Sequence, residues 1–307
     1  MSFSRDVKRE LCKCDPPEPA QRRAELYGLL LFGHHFSART LGVQTENPQV
    51  ADRIASLLAE EAGVIAEKTA PLSRRGTGGG MISVTVADEG DRRRVLSLFG
   101  HDPAEPHVKI NRGNWEEEES TAAFLRGAFL SCGTVSDPQK GYRMEFALTR
   151  YHLTNSLAAL LGECCGGAFH PKTSSRSGGY VVYSKNSEEI ADLLTYLGAA
   201  SASMAFVQVK MVKELRNDLN RRTNFDAANI DKTVSAAAEQ IEAIRLLENL
   251  GLLGSLPDEL QELASLRAEH PELSLRELGA LLARPISRSG VNHRLQKLTS
   301  LAQKYKK

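Results

Sequence analysis

The side chains best suited to contacting nucleic acid lie near the C-terminus, on a segment that follows Ser287. The segment RSGVNHRLQKLTSLA predicts a helix with Ser287 as its N-cap. Val291, Leu295 and Leu298 recur at i, i+4 and i+7, so they predict the face that packs against a core. The opposite face carries Arg288, Ser289, Asn292, His293, Gln296 and Lys297. Asn and Gln can pair bidentately with adenine and Arg with guanine, while Ser and Lys suit phosphate, so this face predicts DNA contact. A merely solvated basic helix is the alternative.

The elements before this helix predict a helix-turn-helix. Ser274 to Glu277 has the pattern of a capping box that starts a preceding helix, and the tight turn Arg284-Pro285-Ile286 leads to Ser287. From Pro271 to Lys307 the chain holds eight Lys and Arg against two Glu. We therefore predict a DNA-binding segment at about 273–306. The further residues predicted to contact DNA there are Ser274, Arg276, Ser287 and Arg294.

The spacing of the cysteine and histidine residues in this sequence does not match that of a metal site. Cys12 and Cys14 are separated by one residue, Cys164 and Cys165 are adjacent, and His34-His35 is the nearest histidine pair. Structural zinc sites usually need Cys-x₂₋₄-Cys spacing, and adjacent cysteines seldom chelate one ion. We expect buried free thiols, no metal and no cofactor. No Ser-His-Asp or Cys-His arrangement can be assembled from the sequence.

Composition predicts a protein that works in the cytoplasm. The 307 residues are 41% hydrophobic and 25% charged, with a net charge of +1. Apolar runs stay well below the roughly 18–20 residues that span a membrane, and the charged N-terminus lacks an apolar signal core. Five cysteines form no even disulfide framework, which favours a reducing compartment.

The elements before the C-terminal segment are repeated at an offset of 99 residues. Leu26-Tyr27-Gly28 recurs as Leu125-Arg126-Gly127, and Gly63 corresponds to Gly162. Each copy predicts the order helix, two strands, helix, two strands, helix, over about 20–100 and about 119–200. In the second copy the prediction includes a strand at 168–173 and a turn at 174–179. Two copies of one unit predict a pseudo-symmetric domain with any site near its two-fold axis.

A long helical segment follows this duplication, with apolar residues at helical spacing from Ile230 to Leu247. Gly251 and Gly254 end it, and we expect the domain boundary within 220–255. The predicted organisation is an N-terminal segment at 1–18, the duplicated domain at 19–205, a helical linker at 206–254 and the helix-turn-helix domain at 255–307.

Two glycine-rich turns occupy equivalent places in the two copies. Ser73 to Gly80 and Lys172 to Gly179 both precede a strand, which argues against a phosphate loop because such a loop leads into a helix. We interpret them as paired hairpin tips. Their basic residues are predicted as secondary DNA contacts, with ordinary exposed turn residues as the alternative: Arg74, Arg75, Lys172 and Arg176.

Three stretches of the chain resemble the WhiA family of bacterial regulators. They are SFSRDVKREL at the N-terminus, LRNDLNRRTNFDAANIDKTVSAAAEQIEAI in the middle and ELGALLARPISRSGVNHRLQKL near the end. The resemblance implies a domain like the LAGLIDADG homing endonucleases and a helix-turn-helix like region 4 of sigma factors. It also implies roles in sporulation, cell division and chromosome segregation. The expected fold is therefore α+β, with a duplicated αββαββα LAGLIDADG-like domain followed by an all-α helix-turn-helix domain.

The positions of the nuclease acids argue against cleavage. The LAGLIDADG helix places a metal-binding carboxylate before its final glycine, and this chain has Gly33 and Cys132 at those positions. The earlier acid of the motif is replaced by Leu31 and Leu130. Glu25 and Asp137 lie nearby but off the motif position. Since a thiol and a glycine cannot supply the oxygen ligands that Mg²⁺ needs, we expect no nuclease activity.

The favoured interpretation is a non-enzymatic, sequence-specific regulator that binds double-stranded DNA at the nucleoid, with other transcription or division proteins as further partners and no membrane contact. A structural protein of the division machinery, in which DNA binding is secondary, is the alternative. An active endonuclease is a third and disfavoured hypothesis.

Overall fold

Residues 2–70, 80–103, 108–176 and 178–306 are described by a computed structural model of the chain. They divide into two compact units, residues 1–213 and residues 214–307. Arg74 and Arg75, two of the predicted secondary contacts, lie outside the described residues.

The first unit contains the predicted repeat. After α1 (Phe3–Leu11), the first copy consists of α2 (Pro19–Leu31), β1 (His35–Phe36), β2 (Leu41–Thr45), α3 (Pro48–Ala62), β3 (Glu67–Thr69), β4 (Ile82–Thr85) and α4 (Glu89–Leu98). The second copy consists of α5 (Glu118–Cys132), β5 (Gly133–Val135), β6 (Met144–Leu148), α6 (Tyr151–Glu163), β7 (Lys172–Arg176), β8 (Gly179–Ser184) and α7 (Ser187–Leu197). The predicted αββαββα order is confirmed in both copies.

Each copy forms its own antiparallel four-stranded sheet. The strand orders are β1-β2-β4-β3 and β5-β6-β8-β7, so the two sheets have the same topology. Gly42 pairs with Thr85 in the first sheet, and Phe146 pairs with Val182 in the second. Alternate residues of the central strands are buried, as in β6, where Met144, Phe146 and Leu148 face the core.

The strand predicted at 168–173 was misplaced. Residues Cys165–Gly167 form a short 3-10 turn in which Gly166 and Gly167 adopt positive φ angles of 64° and 79°, so the chain is still turning there. The strand starts at Lys172 and pairs with β8 as far as Arg176, which faces Gly179. The predicted turn at 174–179 is therefore mostly strand.

The two copies meet where α2 crosses α5, and glycine makes that crossing possible. A Cβ atom on Gly28 would lie 2.1 Å from the carbonyl oxygen of Phe124, and one on Gly127 would lie 2.1 Å from that of Glu25. Any side chain would separate the helices, so the repeated glycine follows from the close backbone approach. The single tryptophan, Trp115, stacks on Phe124 beside this crossing, with ring centroids 4.3 Å apart.

The N-terminal helix α1 is part of the first core. Val7 and Leu11 are fully buried. The Glu10 carboxylate accepts hydrogen bonds from the backbone N–H groups of Ser201 and Ala202, at 2.7 and 2.9 Å. Those groups belong to the first turn of α8 (Ala200–Asn249), whose unpaired amides and positive dipole end favour an anion.

The second unit is all helical. It is built from the later part of α8 together with α9 (Asp258–Glu269), α10 (Leu275–Leu281) and α11 (Arg288–Gln303). Its core is formed by Ala243, Ile244, Leu247, Leu263, Ala264, Leu278, Leu282, Val291, Leu295, Leu298 and Ala302. Ala243, Ile244 and Leu247 fall within the predicted linker 206–254, so α8 contributes its last turns to this core.

Candidate nucleic-acid interface

Helix α11 presents the polar face that the sequence predicts. Ser287 caps it, with Oγ accepting a hydrogen bond from the N–H of Gly290 at 3.3 Å. Val291, Leu295 and Leu298 are at most 1% exposed and point into the core. The side chains exposed on the outer face are Arg288, Ser289, Asn292, His293, Gln296 and Lys297. The amphipathic division of this helix is therefore as predicted, whereas the DNA contacts remain a prediction.

The turn before α11 depends on a close approach to α10. Ile286 donates its backbone N–H to the carbonyl oxygen of Gly279 at 3.1 Å. A Cβ atom on Gly279 would lie 2.5 Å from the carbonyl oxygen of Ile286, so only glycine fits there. This contact fixes where Ser287, and hence the start of α11, sits relative to α10.

Helix α10 begins with the predicted capping box. Ser274 Oγ accepts from the N–H of Glu277, and a Glu277 carboxylate oxygen accepts from the N–H of Ser274 at 2.8 Å. The hydrogen bonds from Ser274 lower the pKa of the Glu277 carboxyl. Ser274 is thus engaged in capping, while Arg276 next to it is exposed.

Several of these side chains line one cleft of about 470 Å³ within the second unit. Its lining includes Arg276 from α10, Arg288 and Asn292 from α11, and Lys232 and Thr233 from α8. Of the described residues that line the cleft, none is acidic. The cleft is therefore basic and polar, and its charge suits contact with phosphate oxygens. We call it the basic cleft.

Lys232 and Thr233 are cleft residues that the sequence pattern does not predict as DNA contacts. They lie within the stretch NIDKTVSAAAEQIEAI, which is part of the predicted linker 206–254. Lys232, Ala236 and Gln240 recur at i, i+4 and i+8 and all line the basic cleft. That spacing places them on one helix face, which is the signal that could have identified them.

Arg267 holds the wall of the basic cleft in place. Its side chain is nearly fully buried and donates to Gln240 Oε1 at 3.1 Å. It also donates to the carbonyl oxygens of Leu273 at 2.8 Å and Pro271 at 3.3 Å. Because these carbonyls lie between α9 and α10, Arg267 ties the start of α10 to α8.

Arg294 has a different environment from the other predicted contacts. Its Nη2 lies 2.5 Å from Glu259 Oε2 of α9, and its side chain is 22% exposed. The structure therefore gives Arg294 an ion pair within the unit. Ser289, His293 and Gln296, at i, i+4 and i+7, form an exposed stripe on α11.

In the first unit, the two described secondary candidates lie on β7, whose five residues are all exposed. Arg176 makes a bidentate pair with Glu145, with both N–O distances at 3.2 Å, and Arg143 Nε lies 2.6 Å from the same carboxylate. Burial alone would raise the pKa of Glu145, but the two arginines together outweigh it and lower that pKa. Lys172 is exposed at the other end of the strand, so the charge that β7 presents to solvent is carried mainly by Lys172.

The two positions where the nuclease motif has acids are brought together. Gly33 and Cys132 line one cavity of about 460 Å³ at the C-terminal ends of α2 and α5. We call it the repeat cavity, because equivalent residues of both copies bound it. Burial raises the pKa of the Cys132 thiol to about 12, so the thiol is neutral at pH 7. A Cβ atom on Gly33 would lie 2.8 Å from Val43 Cγ2, so position 33 has no room for a carboxylate without repacking.

The two nearby acids are engaged elsewhere. Glu25 is fully buried and accepts from Arg53 at 2.9 and 3.2 Å and from Arg126 Nε at 3.1 Å. Asp137 accepts from the N–H of Gln139 at 2.9 Å and stabilises a turn. Neither residue lines the repeat cavity.

The described residues contain no group of three or more His, Cys, Asp or Glu that could hold a metal ion. All five cysteines are free thiols. Burial raises the pKa of Cys12 to about 12 and that of Cys164 to about 11, which opposes thiolate ligation. Among the described helices, none is long and apolar enough to cross a membrane.

Comparisons with known proteins agree with this architecture. Residues 121–216 match the family described as the WhiA LAGLIDADG-like domain, and residues 219–302 match the WhiA C-terminal HTH domain. The chain is 34% identical to "Probable cell division protein WhiA" of Thermoanaerobacter sp. (strain X514), covering 100% of this chain and 98% of that protein. It is 35% identical to the protein of the same name from Latilactobacillus sakei, covering 99% and 98%. The crystal structure of full-length DUF199/WhiA from Thermotoga maritima has the same fold, with a TM-score of 0.61, 21% identity and 99% of both chains covered.

Proposed function

This chain belongs to the WhiA family, and from that premise we propose that it is a sequence-specific regulator of cell division that binds double-stranded DNA and does not cleave it. The observation that carries the proposal is the acid-free basic cleft beside the exposed face of α11. A helix that enters the major groove needs a buried face for its own domain and a polar face for the bases, and α11 has both.

We assign base reading to the N-terminal half of α11. Arg288 and Asn292 lie one turn apart on α11 at the basic cleft, and Ser289, His293 and Gln296 form the stripe beside them. An Arg–guanine or Asn–adenine bidentate pair discriminates against the wrong base by about 1–3 kcal/mol. Lys232, Arg276 and Lys297 are exposed around these readers and suit phosphate oxygens. Lys172, together with Arg74, Arg75 and Arg176, is proposed as a weaker second contact.

The chemistry of the repeat cavity supports the proposal that the chain does not cleave DNA. Hydrolysis of a phosphodiester by this fold needs oxygen ligands that hold divalent metal at both motif positions. Gly33 has no side chain, Cys132 is a neutral thiol, and the Lys8 side chain also lines the cavity. A cationic ammonium opposes Mg²⁺ binding by like-charge repulsion.

The biological setting is proposed from the family. The relatives are named as probable cell division proteins. For this chain we propose further roles in chromosome segregation and sporulation, and a location in the cytoplasm at the nucleoid. A structural or interaction role in the division machinery is the second candidate. It is favoured by large apolar side chains that α8 exposes at i and i+4, Leu215 with Leu219 and Ile230 with Val234, each 62–64% exposed.

The proposal is tested by selecting duplexes from a random pool with the full chain and measuring affinity for the selected and scrambled sequences at fixed salt. Arg288→Ala and Asn292→Ala are expected to lower affinity for the selected duplex roughly 5- to 150-fold and to reduce discrimination at one base position each. Arg245→Ala is the matched control, since Arg245 is exposed on α8 and lines a separate cavity with Glu239 and Glu242. Unchanged preference in both variants would remove α11 as the reader.

A further inference from the structure

The repeat cavity has polar features that the proposed reading of DNA by α11 does not use. Its volume is about 460 Å³, within the range of sites that hold small ligands. It lies between the C-terminal ends of α2 and α5, and residues 31–34 and 131–134 bound it from the two copies. Lys8 enters from α1 and Arg150 from the start of α6. Of the described residues that line it, none is Asp or Glu.

The described lining residues of the cavity therefore include two cationic side chains and no carboxylate. Lys8 is half-buried, and its Nζ donates to the carbonyl oxygen of Leu130 at 3.0 Å, at the end of α5. Glu46 and Arg5 line an adjoining cavity whose wall also includes Lys8 and Ser131, so Lys8 has one acid and one base on that side. Burial lowers the pKa of Lys8, because desolvation outweighs the acidic groups around it. Neither Lys8 nor Arg150 forms an ion pair with a described residue. Partial burial of an unpaired cation costs free energy, and a bound anion would offset that cost.

Two polar atoms of the wall lack partners. Ser131 and Arg150 both line the cavity, and Ser131 Oγ and Arg150 Nη1 are buried without a hydrogen-bond partner in the part of the chain that the structure describes. Buried donors are normally satisfied, so two orphaned donors in one cavity wall indicate a missing acceptor. A hydroxyl, a guanidinium and an ammonium are all donors, and an oxyanion accepts from each of them.

We propose that the repeat cavity binds a phosphate-type oxyanion, held by Lys8 and Arg150 with Ser131 as a neutral donor. This site would therefore bind an anion at the place where the nuclease motif holds a metal cation. The replaced acid positions, Gly33 and Cys132, contribute no negative charge to repel an anion. The anion comes either from a phosphorylated small molecule or from a backbone phosphate of DNA. Only the second source depends on the proposed function.

The test uses the full chain and inorganic phosphate as the probe, titrated against chloride at constant ionic strength and followed by calorimetry. We expect saturable one-site binding. Lys8→Gln and Arg150→Gln each weaken it roughly tenfold or more, because each removes a charge-assisted hydrogen bond. Lys140→Gln is the matched control, since Lys140 is exposed on a turn and does not line the cavity. An absence of saturation, or equal affinity in Lys8→Gln, Arg150→Gln and the parent chain, overturns the proposal.

Ser131→Ala separates binding from folding. The Ser131 hydroxyl has no partner, so its removal leaves the thermal midpoint without phosphate unchanged or higher. The same change weakens phosphate binding. Unchanged phosphate affinity in Ser131→Ala together with full binding in Lys8→Gln shows that the cavity is not the site.

A competition experiment distinguishes the two sources. If the anion is a DNA phosphate, a short duplex displaces inorganic phosphate and Lys8→Gln weakens duplex binding. If it is a free ligand, a mononucleotide such as AMP competes with phosphate, whereas duplex affinity is the same for Lys8→Gln and the parent chain. The α11 variants test DNA reading, whereas the Lys8 and Arg150 variants test anion binding in the repeat cavity. If the α11 variants lose DNA binding but still bind phosphate, the two sites are separate, so either proposal can be refuted without the other.

Discussion

Replacing Glu25 with Gln should destabilise the first unit strongly, because it leaves the buried Arg126 without its carboxylate partner and the partly buried Arg53 with only the exposed Asp15, 3.8 Å away. Glu25 is fully buried, and the side chains of Arg53 and Arg126 that bind it are only 14% and 11% exposed. Removing one partner from a buried ion pair costs about 3–5 kcal/mol. For a unit the size of residues 1–213, each kcal/mol lowers the midpoint by about 2–4 °C, so we expect a fall of roughly 6–20 °C.

A surface pair of the same chemistry provides the control. Arg112 and Glu163 also form a bidentate pair, at 2.7 and 2.9 Å, but both side chains are more than half exposed. Glu163→Gln should therefore change stability by less than about 1 kcal/mol. Urea unfolding can be followed by the fluorescence of Trp115, the single tryptophan, which lies in the first unit. Equal losses in the two variants, or a loss below about 1 kcal/mol for Glu25→Gln, would refute the assignment of Glu25 to a structural network.

Three further outcomes are expected. Gly127→Ala should lower stability by at least about 1–3 kcal/mol in urea unfolding, because its Cβ meets the Glu25 carbonyl at 2.1 Å, whereas Gly162→Ala, with no atom closer than 3.9 Å, should be neutral or stabilising. Burial raises the pKa of the Cys132 thiol from 9.0 to about 12, so its contribution to stability is present below about pH 9 and is lost as the pH rises towards 12. Because the pKa values of the Cys12 and Cys164 thiols are raised as well, Cys132→Ala should make the fall in stability between pH 9 and 12 smaller without abolishing it, and an identical profile would contradict the burial of the Cys132 thiol. Supercoiled plasmid incubated with the chain and Mg²⁺ or Mn²⁺ should stay uncut, and cutting that a Glu25 or Asp137 substitution abolishes would show that the cavity chemistry has been misread.

The fold was predictable wherever the sequence repeats or alternates. The offset of 99 residues predicts two equivalent sheets, and the spacing of Val291, Leu295 and Leu298 predicts which face of α11 is buried. The strand at 168–173 was misplaced because Gly166 and Gly167 prolong the preceding turn. Local pattern contains no information on how a glycine pair will bend the chain before a strand begins.

The sites were less predictable because their parts come from distant segments. Nothing in the N-terminal sequence indicates that Lys8 reaches the carbonyl of Leu130, 122 residues further on. The pairing of Glu25 with Arg126 depends on the crossing of two helices and is equally invisible locally. The sequence places Lys232 in a linker because it does not reveal that the later part of α8 packs with α9, α10 and α11.

The central claim, that α11 reads DNA sequence, is tested most directly by genome-wide chromatin immunoprecipitation with the parent chain and with Asn292→Ala, expressed at equal levels in the producing bacterium. The proposal predicts discrete peaks that share one sequence element for the parent chain and the loss of those peaks for Asn292→Ala, with Arg245→Ala behaving as the parent. Dispersed binding by the parent chain, or peaks that persist unchanged in Asn292→Ala, would contradict it.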